Sequence, residues 1–282
     1  MTARDALGRM TARDALGRMT ARDALGGAVP ALEAAGCLSP RLDAELLLAD
    51  ALGVERQALF LDPDMEVSPG AARVIAEHVR RRVRREPVAY ILGRKGFRFI
   101  ELAIDRRALI PRPETELLVD VALELPEGAR VHDVGTGCGS IALAILDERP
   151  DLRVSASEPY APAAEIAREN AARLGLPLEV SEDFGLPEGH YDLVVANLPY
   201  VREDEWESMQ PEIRGYEPRE AFVSGEDGLD AIRELIAQAP AGTRVALEHG
   251  QEQAGEVRAM LEDARSQPDL ANWERMTVGR VP

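Results

Sequence analysis

The run Asp133-Val134-Gly135-Thr136-Gly137-Cys138-Gly139 follows an apolar segment and opens a helix-compatible one. Glycine reaches positive φ and lets a backbone approach a ligand closely. A helix N-terminus adds free N–H groups and a positive dipole end, which suit a carboxylate. Glu158 stands 19 residues after Gly139, at the end of the next apolar segment. An acid at that distance accepts the hydroxyls of a ribose. A dinucleotide fingerprint would place its third glycine at position 140, which is Ser140; here that glycine comes one residue early. A nucleoside carrying its own carboxylate, S-adenosylmethionine, fits the pattern better. Asp133 either caps the loop or reaches the ligand's amino group. Asp183 and Phe184 follow the third expected strand, where an acid and an apolar ring can hold adenine.

The second chemical segment is Asn197-Leu198-Pro199-Tyr200, which follows the apolar run Tyr191-Asp192-Leu193-Val194-Val195-Ala196. It suits a planar NH2 group on an sp2 carbon, held beside a methyl donor. Such a nitrogen is a poor nucleophile, so the task is mostly one of positioning. The Asn197 carbonyl oxygen can accept one N–H and the Leu198 backbone carbonyl the other. Pro199 stiffens the turn, and Tyr200 covers the planar group. Asn197 and Tyr200 are the expected catalytic pair, and Asn197 is also expected to touch the methyl donor. An Asn-Pro turn ending a strand is common without any ligand; the glycine loop upstream is what gives the tetrapeptide its meaning.

Alternating strands and helices must position these two segments. Strands are expected at 130–134, 153–157, 178–180, 192–196 and 243–248, with helices at 140–149, 163–174, 229–238 and 253–264. This alternation predicts an α/β fold with a doubly wound, mostly parallel, Rossmann-like sheet, which binds ligands beyond the strands' C-terminal ends. Before it, residues 20–87 read as a small helical domain, with Ser39-Pro40 and Ser68-Pro69 as helix starts. Residues 88–112 read as a hairpin around Phe97–Ile104 and a stiff proline-rich connector, and 113–282 as the ligand-binding domain. Met1–Arg9 recurs verbatim as Met10–Arg18 and nearly so from Met19. Residues 1–19 are therefore a duplicated extension, expected to be dispensable up to Arg18.

The 282 residues carry a net charge of −17. Such a field repels nucleic-acid backbones unless a local basic patch overrides it. One candidate patch exists, Arg80, Arg81, Arg82, Arg84 and Arg85, which is either a solvated helix face or a docking site for an acidic partner. Two distant cysteines, Cys37 and Cys138, and four scattered histidines argue against a disulfide framework and a metal site. No apolar run reaches membrane-spanning length and no secretory signal opens the chain, so a cytoplasmic enzyme is expected.

The chain resembles the bacterial release-factor glutamine methyltransferases of the HemK/PrmC type, from Thr20 to about Arg280. The matching stretches include Ser39–Leu48, Pro87–Gly93, Ile110–Glu116, the glycine loop, Asn197–Tyr200, Tyr216-Glu217-Pro218 and Gly225–Leu229. The resemblance implies a class I S-adenosylmethionine-dependent methyltransferase domain behind a helical domain that grips the release factor. The acceptor would be the glutamine of that factor's Gly-Gly-Gln tripeptide. By residue match, Gly135 to Gly139 (with Thr136 and Cys138), Glu158 and Phe184 would contact the donor, and Asn197 to Tyr200 the glutamine. The family usually has Asn-Pro-Pro-Tyr, and Leu198 here replaces the first proline, leaving φ at 198 unfixed. Asn-Leu-Pro-Tyr also resembles the motif of ribosomal-RNA adenine dimethyltransferases, which makes the exocyclic amine of adenine in RNA the alternative acceptor. A binding module without catalysis is a third reading, disfavoured by the intact Asn197 and Tyr200. The acidic stretch from Trp206 to Glu220 suits a peptide loop better than an RNA backbone.

Overall fold

The structure is a computed structural model and describes residues 18–282. The duplicated segment ahead of Arg18 lies outside the described residues. Two compact units divide at Gly93/Arg94.

The first unit is helical. Strand β1 (Met19–Thr20) leads into α1 (Ala21–Ala34), followed by α2 (Pro40–Leu52), α3 (Ala58–Leu61), β2 (Glu66–Val67), α4 (Pro69–Val83) and α5 (Val88–Leu92). Thr20 and Asp23 form a reciprocal capping box that starts α1, and Ser68 caps α4 at the Ala71 N–H. Gly53, in the left-handed region, ends α2. The core is small residues and leucines: Ala24, Ala28, Ala31 and Leu32 of α1 meet Leu47 and Leu48 of α2 and Ile75 and Val79 of α4. The unit runs through α5 to Gly93, past residue 87 where the sequence pattern changes character.

The arginine run divides: Arg80 and Arg84 are exposed, as on a solvated helix face, whereas Arg82 is buried and Arg81 and Arg85 are half-buried. The Arg82 guanidinium is buried and donates to Asp43 at 2.7 Å, Arg81 pairs with Glu86 at 2.8 Å, Arg80 pairs with Glu77 at 2.7 Å, and Arg85 donates to the Ala35 carbonyl at 3.2 Å. Arg82→Ala would leave the buried Asp43 carboxylate without a hydrogen-bond donor among the described residues. We expect it to destabilise the full chain by about 3–5 kcal/mol in equilibrium urea unfolding. A loss below about 1 kcal/mol would mean the pair behaves as an exposed one.

The second unit opens with a hairpin, β3 (Arg94–Phe97) and β4 (Ile100–Ala103), in the stretch where alternating apolar residues predict one. After the connector come α6 (Glu116–Leu123), β5 (Arg130–Val134), α7 (Ser140–Glu148), β6 (Arg153–Ser157), α8 (Ala161–Leu174), β7 (Glu179–Ser181), β8 (Leu193–Ala196), α9 (Pro211–Tyr216), α10 (Asp230–Gln238), β9 (Arg244–Glu248), α11 (Ala254–Ala259), β10 (Glu262–Pro268) and β11 (Glu274–Arg280). Among the described residues these strands form a seven-stranded sheet in the order β10-β11-β9-β8-β5-β6-β7, parallel from β9 to β7. The doubly wound reading holds.

The C-terminal end departs from it. A helix expected over 253–264 stops at Ala259, and β10 and β11 add an antiparallel ribbon. Strand β10 reads Glu-Asp-Ala-Arg-Ser-Gln-Pro and sits at a sheet edge, so it has no apolar alternation to find. In β11, neighbouring Met276 and Thr277 are both buried because the strand is covered on both faces. Helix α6 is absent from the helices the sequence pattern predicts; its short apolar run abuts the proline connector.

Chain order reverses between β5 and β8: the chain leaves β5 towards β6 and β7, then returns to β8 on the other side. The crevice beyond such a switch point is where open α/β sheets bind ligands. Val134 of β5 pairs with Ser157 of β6 and with Ala196 of β8. The register therefore brings Gly135, Glu158 and Asn197, each the next residue on its strand, to one edge of the sheet.

Candidate active site

The glycine loop is held from below by the sheet. The N–H groups of Gly135 and Thr136 both donate to the Ser157 carbonyl, at 2.8 and 3.1 Å. A Cβ on Gly135, whose φ is +72°, would lie 2.9 Å from the Leu198 side chain. Glycine is required there because the Asn197–Tyr200 segment packs directly on the loop. Leu198 is itself buried among Val134, Ala196 and Leu229. Packing thus supplies the hold on this turn that a proline ring would otherwise give.

Glu158 lies at the loop's other side and is 7% exposed. Its Oε2 accepts from the Gly137 N–H and its Oε1 from the Tyr160 N–H, both at 2.9 Å. Burial raises its pKa, and those two N–H groups oppose the rise. Each carboxylate oxygen keeps a further lone pair for a ligand.

Gly135, Thr136, Gly137, Cys138, Glu158, Phe184, Asn197, Leu198 and Pro199 line one cavity of about 250 Å³. Its walls also include Leu109, Pro111 and Thr115 from the connector, Ser140 and Ile141 from the start of α7, and Tyr160. The Cys138 thiol is pushed up to about 12 by burial, so it is neutral and unreactive.

Four other singled-out residues stand elsewhere. Asp133 is fully buried beneath the loop, where Oδ2 accepts from the Thr136 hydroxyl at 2.6 Å and the Ala142 N–H at 3.2 Å. It orders the loop and the start of α7. Its Oδ1 has no hydrogen-bond partner among the described residues, and burial pushes its pKa up to about 7. Gly139 is the N-cap of α7 in the left-handed region and is not in the cavity wall. Asp183 is exposed and outside the wall, while its neighbour Phe184 is part of it. Tyr200 borders a smaller adjoining cavity of about 30 Å³ that it shares with Asn197 and Arg112.

The Asn197–Tyr200 loop is fixed by residues distant in sequence. Gln253 donates to the Tyr200 carbonyl at 3.0 Å and to the Asp227 carbonyl at 2.9 Å. A Cβ on Gly228 would come within 2.2 Å of that Tyr200 carbonyl. The buried Glu217 carboxylate accepts from the Ile110 N–H at 3.0 Å and from Arg112 at 2.6 Å. It thereby clamps the proline connector against the segment after the tetrapeptide.

Two further side chains, Thr115 and Glu248, stand behind Asn197 and Tyr200. The Asn197 Nδ2 donates to the Thr115 hydroxyl at 3.0 Å, and the Tyr200 hydroxyl donates to Glu248 Oε1 at 3.3 Å. Thr115 ends a short 3-10 turn, Pro113–Thr115, and Glu248 ends β9. Glu248 as the last residue of a strand with a buried pattern is the signal that was available.

Comparison with known proteins fixes the family. Residues 23–93 match the PrmC N-terminal domain and residues 113–211 the methyltransferase small domain. The chain is 40% identical over 270 residues to the release factor glutamine methyltransferase of Xylella fastidiosa (strain Temecula1 / ATCC 700964), covering 90% of this chain and 98% of that one. The chain belongs to the release factor glutamine methyltransferase family. A second relative, the release factor glutamine methyltransferase of Burkholderia pseudomallei (strain K96243), is 41% identical over 267 residues, covering 86% of this chain and 92% of that one. Among solved structures, the hMettl16 catalytic domain superposes with a TM-score of 0.51 at 12% identity over 76% of this chain and 81% of that one, a likeness of fold alone.

For a glutamine methyltransferase, the arrangement places a carboxylate and a glycine cradle on one side of the cavity and an amide on the other. Among the described residues no cluster of side chains suits a metal ion, and no helix is long and apolar enough to cross a membrane.

Proposed function

We propose that this chain transfers the methyl group of S-adenosylmethionine to the side-chain amide nitrogen of the glutamine in the Gly-Gly-Gln tripeptide of peptide chain release factors. The observation that carries the reading is the single cavity shared by the glycine loop, Glu158 and Asn197-Leu198-Pro199. The residues present suit the donor: Glu158 offers acceptor capacity for ribose hydroxyls, Phe184 an apolar face for adenine, and a Cβ at Gly137 would meet nothing within 4 Å, so that loop is open to a ligand. When bound, S-adenosylmethionine supplies an electrophilic methyl group on a sulfonium. The protein's work is to hold the acceptor amide in line with it and to keep water away, which the apolar walls do.

Asn197 is not a general base, because a neutral amide does not take a proton usefully near pH 7. It holds the acceptor through its oxygen. The helical unit is proposed to grip the release factor, and the compartment is proposed to be the cytoplasm, where termination takes place. An RNA acceptor is disfavoured by the net charge of −17 and by the acidic segment after the tetrapeptide. The test is a tritium-transfer assay offering the full chain folded release factors and unmodified small ribosomal subunits. Label on one release-factor glutamine, located by mass spectrometry, supports the reading; label in the RNA alone overturns it.

A further inference from the structure

A side-chain amide has two faces of opposite polarity, and only one of them can serve an NH2 acceptor. Presenting the Asn197 oxygen gives a hydrogen bond to the acceptor's N–H. Presenting the nitrogen sets donor against donor. Something must choose between these two orientations, which differ by a half-turn about the last side-chain bond.

The structure makes the choice at Thr115. The Thr115 hydroxyl accepts from Asn197 Nδ2 at 3.0 Å and is 2% exposed, so the contact is shielded from water. With Nδ2 held there, Asn197 Oδ1 receives no hydrogen bond from the described residues, although Asn197 lines both cavities. A hydroxyl that accepts from Asn197 must send its own hydrogen elsewhere. Thr115 faces the Glu248 carboxyl, and both Thr115 and Tyr200 favour the charged form of that acid. Oε1 of Glu248 accepts from Tyr200, whereas Oε2, buried, has no hydrogen-bond partner among the described residues. A buried carboxylate oxygen without a donor is costly, and the Thr115 hydroxyl, which acts on the same carboxyl, is the group that would serve it after a shift of either side chain.

We propose that Thr115, backed by Glu248, is the positioning residue that turns the Asn197 amide so that its oxygen, not its nitrogen, meets the acceptor. The inference rests on the proposed methyl transfer to a planar NH2 group. An ionised Glu248 can only accept, which leaves the Thr115 lone pairs for Asn197. A protonated Glu248 can donate to Thr115 instead and frees the hydroxyl to turn round. Burial pushes Glu248 up to about 7. The groups facing it are the Thr115 and Tyr200 hydroxyls, Arg275 of β11, which favours the charged form, and Glu114 of the connector, which opposes it.

Two readouts test the proposal, one independent of the acceptor. In nitrogen-15 spectra of the free full chain, the Asn197 NH2 protons should exchange slowly with water, and Thr115→Val, which keeps the shape but removes the acceptor, should speed that exchange by about tenfold relative to the wild type, the fold-change that corresponds to losing one hydrogen bond. In the transfer assay, Thr115→Val should lower kcat by up to about 100-fold, the cost of a misplaced positioning group, with donor affinity close to that of the wild type. Thr115→Ser, which restores the hydroxyl, should recover most of the loss. The wild-type kcat should fall as pH drops through about 7, and Glu248→Gln should flatten that fall. Unchanged NH2 exchange in Thr115→Val, or turnover close to the wild type, or no recovery in Thr115→Ser, overturns the proposal. Slow NH2 exchange that quickens in Thr115→Val, in a wild type that transfers no label to release factors, overturns the proposed substrate while the role of Thr115 stands.

Discussion

Asn197→Ala is expected to lower turnover by roughly 10²–10³, the loss seen when one preorganised polar contact at a reacting group is removed. The structure sharpens why the effect should fall on turnover. Asn197 lies at the end of β8 beside the glycine loop, yet its one side-chain hydrogen bond within the described residues goes to Thr115, away from Glu158 and the loop. Truncation removes the proposed partner of the acceptor and leaves Gly135, Gly137 and Glu158, the proposed donor cradle, in place. Donor affinity measured by calorimetry should weaken much less than turnover. Steady-state transfer to a folded release factor checks it, and a fall of only a few-fold would exclude the positioning role.

Glu158→Ala should have the opposite signature, a large loss of donor binding. Each ribose hydrogen bond to a charged carboxylate is worth about 1.5–3 kcal/mol. The Ala variant also frees the Gly137 and Tyr160 N–H groups that Glu158 now holds at 2.9 Å. Loop disorder would add to the loss, so the measured effect should reach or exceed that of the ribose contacts alone. Isothermal calorimetry with S-adenosylmethionine is the direct measurement, and unchanged affinity would remove Glu158 from the donor site. A pH series adds a sign. The Glu158 pKa is raised by burial, so donor binding should weaken as pH falls through it and the carboxylate is lost, while Glu158→Ala should show no such component.

The two variants separate the halves of the cavity, and the fold explains why they can be separated. Glu158 follows β6 and Asn197 follows β8, on opposite sides of β5. The glycine loop between them touches both, through Glu158 at Gly137 and through Leu198 at Gly135. Leu198 shows how a departure from the usual family proline is accommodated. Its side chain is 2% exposed, packed with Val134 and Leu229, so burial restrains the turn that ring closure would restrain elsewhere.

The parts of this protein that depend on local spacing are legible in the sequence. The five parallel strands, the glycine loop opening α7, the acid at the end of β6 and the amide at the end of β8 all follow from apolar runs, turn residues and their offsets. A parallel sheet binds ligands beyond its strand ends, so strand position was enough to bring Gly135, Glu158 and Asn197 together. Tertiary structure decided which way side chains turn and what backs them. Asp133 is adjacent to the loop in sequence but points beneath it, because the residues of β5 alternate between the sheet's two faces. Asp183 and Phe184 are neighbours, and only the ring reaches the cavity. Thr115 meets Asn197 across 82 residues and Tyr200 meets Glu248 across 48. No local pattern encodes those separations. They exist because the order β9-β8-β5 brings the ends of β9 and β8 side by side and the proline connector crosses above them, where a hydroxyl and a buried acid can act on an amide that the sequence shows only as Asn197.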